Sequence, residues 1–476
     1  MLPSHSRRTS PEKIHTSAPM ASSSRRATIG DLPDELLLAI VGHFHTIPGF
    51  SHAEPYPDTA RRHAEENRIR RNALVSLCKT SKRWHGIAKP ILYSTFIARS
   101  STPADVARTY HFLDLLATKP DLAKRLKFVQ YVPDHLVGEP WNLDVDAVFG
   151  RNKDRYRPVF EAILGQAQDS ELAGLETLTL TALLLIISLP LKLEQLAIAV
   201  EGGFSGNLWE LLFLYEDGTP NLFHGLKDLA LKDNIPSFNI INPRNRFLSL
   251  RRLQLDGPVC FTDLREQMSP LFPELKSLHF TDTDMTLPGV VDMVANCGSL
   301  EKLHCQWGGH VYHPVINFTP LIKELAAHRD SLEELVLDTR RMSISPNEHL
   351  DPLDSLADFA ALRYLALETA TLLGVPNGFF WLDADGAWWR DHNSDFGIVD
   401  HLPPSLERLD FWNHFPVYDD TLPFRSFAED CRSITSLQKV ELLNPNPRPC
   451  RLLVDAFAAR GVTFVPNFKS EHQTTE

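Results

Sequence analysis

"LEKLHC", residues Leu300–Cys305, is the stretch on which the fold turns, because the chain spells it again and again. The phrase is "LETLTL" at Leu175, "LEQLAI" at Leu193, "LKDLAL" at Leu226, "LRRLQL" at Leu250 and "LKSLHF" at Leu275. It continues as "LEELVL" at Leu332, "LRYLAL" at Leu362 and "LERLDF" at Leu406. "LQKVEL" at Leu437 is a weaker copy, and "AKRLKF" at Ala123 is a candidate first one. The second position is Glu, Lys, Arg or Gln in every copy from Leu175 onward.

In L-x-x-L-x-L the last two apolar residues stand two apart, so they share one face of a strand. The residues between them face the other way. A helix or irregular segment must return the chain, and the next strand then stacks in parallel beside the last. One repeat cannot cover its own apolar face, whereas a stack buries a continuous core. Most copies start 24 to 33 residues apart, in or just above the leucine-rich-repeat range. The fold class expected is therefore α/β: an irregular leucine-rich-repeat solenoid over residues 99–466, with parallel strands and a concave sheet. The alternative is an ordinary α/β domain with leucine-rich strands. The most apolar run, "TLTLTALLLIISLPL" from Thr177 to Leu191, is too short to span a bilayer and reads as buried strand and helix.

The outward positions of these strands form a candidate target-binding face. Its residues are Arg252, Gln254, His279, Lys302 and His304, followed by Glu334, Tyr364, Arg408, Asp410 and Trp412. Solenoids use such faces for partners. The longest gap between phrases holds an aromatic stretch, residues 374–397, with Phe379, Phe380, Trp381, Trp388 and Trp389. It reads either as a set of binding anchors or as a plug over the sheet.

Composition narrows the function. The 476 residues carry a net charge of −12, which disfavours nucleic acid as a partner. The six cysteines are scattered without a C-x-x-C pair, the usage of a reduced compartment, cytoplasmic or nuclear. Residues 1–28 are rich in Ser, Arg and Pro and read as a disordered basic tail. Residues 467–476 read as a second tail. "CGSLEKLHCQWGGHVYH" gathers Cys297, His304, Cys305, His310 and His313, but Cys305 takes a core repeat position and the spacing fits no known finger. No metal or other cofactor is expected. No phosphate-binding loop, nucleophile elbow or zinc-protease motif occurs, so no catalytic residue is assigned and the chain reads as a non-enzyme.

The amino-terminal "IGDLPDELLLAIVGHF", Ile29 to Phe44, reads as a helix with Pro33 in its first turn and Asp34 and Glu35 at the positive end of its dipole. Its apolar residues sweep roughly 200°, about twice what a surface helix needs, so it should have two packing partners. The charged segment from His45 to Arg71 reads as an exposed insertion ending in a short polar helix. From Asn72 apolar residues recur at helical spacing, and Pro90 should end that run.

Together, "LPDELLLAIVGHF" and "LVSLCKTSKRWHGIAKPILYSTF" resemble an F-box, over residues 29–98 with the insertion at 45–71. The repeats behind them resemble those of F-box proteins with degenerate leucine-rich repeats, of the fungal type. The resemblance implies the substrate-recognition subunit of an SCF ubiquitin ligase. Its partners would be a Skp-type adaptor, the cullin scaffold reached through it, and an unknown protein substrate, with no nucleic acid and no membrane. Carried onto this chain, the adaptor-binding residues would be Leu32, Pro33, Glu35, Leu36, Ile40, Leu74, Leu77 and Trp84. Leu32 and Pro33 would sit at the contact, Ile40, Leu74 and Leu77 in the groove or the bundle beneath it, and Trp84 in the bundle core. The insertion departs from the family's short link. A repeat scaffold acting outside ubiquitin transfer is the alternative reading.

Overall fold

A computed structural model describes residues 29–46, 57–100, 102–132, 192–199, 225–232, 247–257, 272–308, 317–340, 351–373, 398–412, 421–443 and 450–467, together with residues 154, 157, 179, 181–183 and 186. Residues 1–28, His310, His313, the aromatic stretch at 374–397 and the second tail beyond Asn467 lie outside these residues, and Asn467, given to that tail, instead ends a strand.

Among the described residues twelve strands form one all-parallel sheet in chain order, which gives a solenoid-like α/β fold. They are β1 (Thr95–Arg99), β2 (Phe128–Val132), β3 (Gln195–Ala199), β4 (Asp228–Lys232), β5 (Arg252–Asp256) and β6 (Ser277–Thr283). The others are β7 (Lys302–Trp307), β8 (Glu334–Asp338), β9 (Tyr364–Glu368), β10 (Arg408–Trp412), β11 (Lys439–Leu443) and β12 (Thr463–Asn467). Nine of them, β3 to β11, fall on copies of the phrase, which stay in register from strand to strand. Leu253, Leu278, Leu303 and Leu335 are fully buried neighbours in one row of a continuous core.

The polar second position has a structural reason. Its N–H bonds the same position of the preceding repeat, as in Lys227 to Glu194 at 2.7 Å and Glu301 to Lys276 at 2.8 Å. Where opposite charges meet at this position they pair along the stack: Glu194 contacts Lys127 at 2.7 Å and Lys227 at 2.9 Å, and Lys276 contacts Glu301 at 3.3 Å. A serine just before the phrase adds a second ladder. The hydroxyls of Ser331, Ser405 and Ser436 donate to the carbonyls of Leu300, Leu362 and Leu406 one repeat back.

Two copies depart from the expectation. Of "LETLTL" at Leu175 only Thr179 is among the described residues; it is helical and buried, as are Thr181, Ala182, Leu183 and Ile186, and among the described residues β2 pairs directly with β3. An apolar run without turn signals suits a buried helix as well as a strand, and here the helix wins. The first copy is displaced as well. Phe128 pairs with Gln195 and Tyr131 with Ile198, so the phrase is "LKFVQY" from Leu126, three residues past the "AKRLKF" reading. Ala123 instead ends a short helix, Pro120–Ala123.

Ahead of the sheet stand α1 (Asp34–Gly42), α2 (Pro57–Thr80) and α3 (Lys82–Leu92); α4 (Pro103–Thr118) and α5 (Pro120–Ala123) follow β1. α1 and α2 both pack on α3. Their small core of Leu37, Val41, Leu74, Ile87 and Ala88 is separate from that of the sheet. Here the boundary expected at Arg71 does not exist. The charged segment from Pro57 is continuous with the helix that carries Leu74, as one helix of 24 residues. Its charges pair on its own surface, Arg68 with Glu65 and Arg70 with Glu66, which supports an exposed helix at these spacings.

Pro90 also fails to stop α3, which runs on to Leu92. Pro90 lies in the last turn of the helix, two residues from its end, so it costs little of the hydrogen-bond ladder. Only Tyr93 and Ser94 separate α3 from β1, and both are tied. The Tyr93 N–H donates to Lys89 at 3.1 Å and the Ser94 hydroxyl to Ile91 at 2.8 Å, while the Ser94 carbonyl accepts from Lys127 at 2.8 Å. β1 itself lies largely inside the 29–98 stretch assigned to the helical domain.

Candidate functional site

The expected adaptor residues divide by depth. Leu74 is buried; Leu32, Leu77 and Trp84 are half-buried against the small core; Ile40 is half-buried; Pro33, Glu35 and Leu36 are exposed. Pro33 stands just before the first turn of α1, and Asp34 and Glu35 occupy that turn. Leu37 and Val41, one turn apart, point inward. Leu36 and Leu38, about 100° to either side, are 51% and 48% exposed. The apolar arc of α1 therefore spills past its own bundle on both flanks. Arg83 fixes the entry of the helix: its Nε donates to Asp34 at 2.8 Å and its Nη2 to the Leu32 carbonyl at 2.5 Å. Both side chains are well exposed, so the ion pair is worth about 1 kcal/mol at most. Ser81 caps α3 by accepting from the Trp84 N–H at 3.2 Å, which sets the indole against the core.

The second surface is the outward face of the sheet. A concavity of about 1320 Å³ extends from Asp228 on β4 to Trp412 on β10. Nine of the ten expected target residues line it; Asp410 does not, because it lies beneath them. Asp410 accepts from the Tyr364 hydroxyl at 2.9 Å and from Arg408 Nε and Nη2 at 2.9 and 2.6 Å. Arg408 also stacks over the Tyr364 ring, 5.0 Å from its centroid. Arg340, which sequence reading did not single out, repeats the motif with Asp338 at 2.9 and 2.8 Å and the Trp412 ring at 4.9 Å. It lies two residues beyond a strand, where periodicity carries no signal.

Midway along the face, His279 and His304 stack at 4.3 Å, and Ser277 reaches His279 Nε2 at 2.7 Å. His304 Nε2 lies 3.3 Å from Glu334, off the line of a hydrogen bond. Lys302 meets the other Glu334 oxygen at 2.5 Å. His304 and then Lys302 hold the Glu334 carboxyl down at about 2. Burial, then the neighbouring His304 and Arg252, press His279 down to about 3. Burial also lowers His328, whose Nδ1 accepts from the Leu300 N–H at 3.3 Å. Cys297 and Cys305 are core thiols pushed up by burial alone, Cys297 to about 12. Among the described residues no three His, Cys, Asp or Glu side chains are placed to hold a metal ion, and no helix is long and apolar enough to cross a membrane.

These histidines set a pH dependence. Both are lowered from 6.5, so below that pH the unfolded chain takes up protons that the folded chain refuses. Stability is full above about pH 6.5 and should fall as the pH drops from there to 5, by up to about 1.4 kcal/mol per pH unit for His279, with His328 acting in the same direction. Glu334 is lowered from 4.5, so its contribution is lost only below that and does not enter this window. Urea midpoints at pH 7 and 5 should converge in His279→Gln; an unchanged pH slope in that variant would refute the assignment.

No family model matches the chain and no curated protein matches it, so both surfaces rest on geometry and sequence pattern.

Proposed function

We propose that the chain is the substrate-recognition subunit of an SCF ubiquitin ligase, acting in the cytoplasm or nucleus without a catalytic site of its own. In this reading α1 to α3 form an F-box that docks a Skp-type adaptor, and the leucine-rich repeats present a protein target on their concave face. The supporting observation is the uncovered flank of α1, where Pro33, Leu36 and Leu38 stand exposed beside a complete small core. Apolar area of this kind marks an interaction site.

A second reading, a repeat scaffold outside ubiquitin transfer, draws on the length of α2. Its extension is tied to the segment after α1 through Arg70, whose Nη1 donates to the His45 carbonyl at 2.8 Å. An extension beside α1 can restrict what docks there.

Copurification from cells tests both. Capture of adaptor and cullin together supports the ligase reading, whereas adaptor without cullin favours the scaffold. Leu32→Ala with Pro33→Ala should abolish adaptor capture and leave the melting profile of the sheet unchanged. Capture at wild-type strength would remove those two residues from the contact.

A further inference from the structure

Gln254 stands on the outward side of β5 and lines the concavity, yet it is only 7% exposed. Among the described residues its amide nitrogen has no hydrogen-bond partner. A buried donor left unpaired costs free energy and calls for an explanation in a native structure.

The aligned residues on either side offer it nothing. On β4 the neighbour is Ala230, which has no polar side chain. On β6 it is His279, whose Nε2 is taken by Ser277 at 2.7 Å. One strand further, His304 stacks on His279 and faces Glu334. The charges nearby are matched to one another: Arg252 lies 4.0 Å from Asp228, Lys232 lies 3.8 Å from Asp256, and Lys302 meets Glu334 at 2.5 Å. A charged ligand would have to draw one of these groups from its counterion, whereas an uncharged polar one would leave every pair in place.

The chemistry of the amide narrows the ligand further. A primary amide carries a donor and an acceptor side by side. Its complement is a second primary amide turned head to tail, which accepts from Nε2 and donates to Oε1. A carboxylate would set its second oxygen against Oε1. A backbone peptide group is trans, with its N–H and C=O on opposite edges, so it meets one half of the amide at a time.

We infer that the concave face reads an Asn or Gln side chain of its target, paired edge to edge with the Gln254 amide. The inference rests on the reading of this face as the target surface.

Three labelled twelve-residue peptides, Ser alternating with Gln, Glu or Lys, are titrated against the full chain by fluorescence anisotropy. The Gln peptide should bind at least tenfold more tightly than the other two. Its affinity should change less than twofold between 50 and 300 mM salt, because it carries no charge to screen. Gln254→Leu replaces the unpaired polar group by an apolar one, which is neutral or stabilising when no bond is lost. That variant should lose the preference for the Gln peptide while the melting midpoint of the free chain holds or rises. Gln254→Glu keeps the shape without the donor, and should weaken the Gln peptide about fivefold.

Equal binding of the three peptides, or a preference kept intact in Gln254→Leu, overturns the inference. So does a melting midpoint lowered by several degrees in that variant, which would give the amide a partner within the chain. A photo-crosslinker at Val336, which also lines the concavity, separates failure of the inference from failure of the reading beneath it. Crosslinks in cells with no preference for the Gln peptide remove the amide ligand and leave the target face standing. No crosslinks and no peptide binding sink both.

Discussion

Trp307→Ala is expected to cost roughly 3–5 kcal/mol of stability, the range for emptying a large aromatic site in a core. Trp307 is fully buried at the end of β7, close to the middle of the sheet. Its ring meets Phe318 edge-on at 5.8 Å, and its Nε1 donates to the Met285 carbonyl at 3.1 Å. The variant therefore loses apolar contact and also strands a buried carbonyl, which carries its own penalty of about 1–3 kcal/mol. Each repeat leans only on its neighbours, so the damage should uncouple the two halves of the sheet. Urea unfolding should show two transitions or a reduced m-value. Trp307→Phe restores most of the ring and should recover about half the loss. A single transition shifted by less than about 1 kcal/mol would show that the site collapses to fill the void.

Leu36→Asp with Leu38→Asp should lower capture of a Skp-type adaptor at least 100-fold, which is about 2.7 kcal/mol. Burying one leucine side chain is worth about 1.5–3 kcal/mol, and the double variant forfeits two while placing charge at the contact. Because both side chains are half exposed already, the isolated chain should keep its melting point to within a degree or so. The matched control is Leu37→Asp, on the buried stripe between them, which should melt the helical cluster. Calorimetric titration against purified adaptor reads all three. Undiminished binding by the double variant would move the contact off this flank and withdraw the main support for the ligase reading.

The sheet was largely legible because its signal is periodic. Two apolar residues per strand and a polar second position locate β3 to β11 without any alignment. The serine preceding several copies was visible too, but its purpose, a hydroxyl reaching back one repeat, becomes plain only once strands are stacked. The failures have local causes. "LETLTL" fits the phrase, yet its neighbours Ala182, Leu183 and Ile186 belong to a buried helix, and a short apolar run does not carry its own period. The segment before Asn72 reads as an insertion with only a short polar helix at its end because it opens on Pro, Gly and Ser and its charges are dense; as i,i+3 and i,i+4 pairs those same charges support a longer helix. Pro90 looked like a stop because a proline usually ends a helix, yet here it stands in the last turn and the helix ends two residues on. On the concave face, alternation identified the outward residues but not their depth. That Asp410 lies under Arg408, and that Arg340 joins it from beyond a strand, depends on side-chain packing.

The two-residue joint between α3 and β1 has a mechanical consequence. With Tyr93 hydrogen-bonded to the helix behind it and Ser94 to both helix and sheet, there is no swivel between the front helices and the solenoid. A cargo resting in the hollow of the sheet would keep a constant bearing toward anything clasped by α1. Reach in such an assembly would come from the clasped machinery or from slack in the cargo, and this chain would act as a stiff bracket.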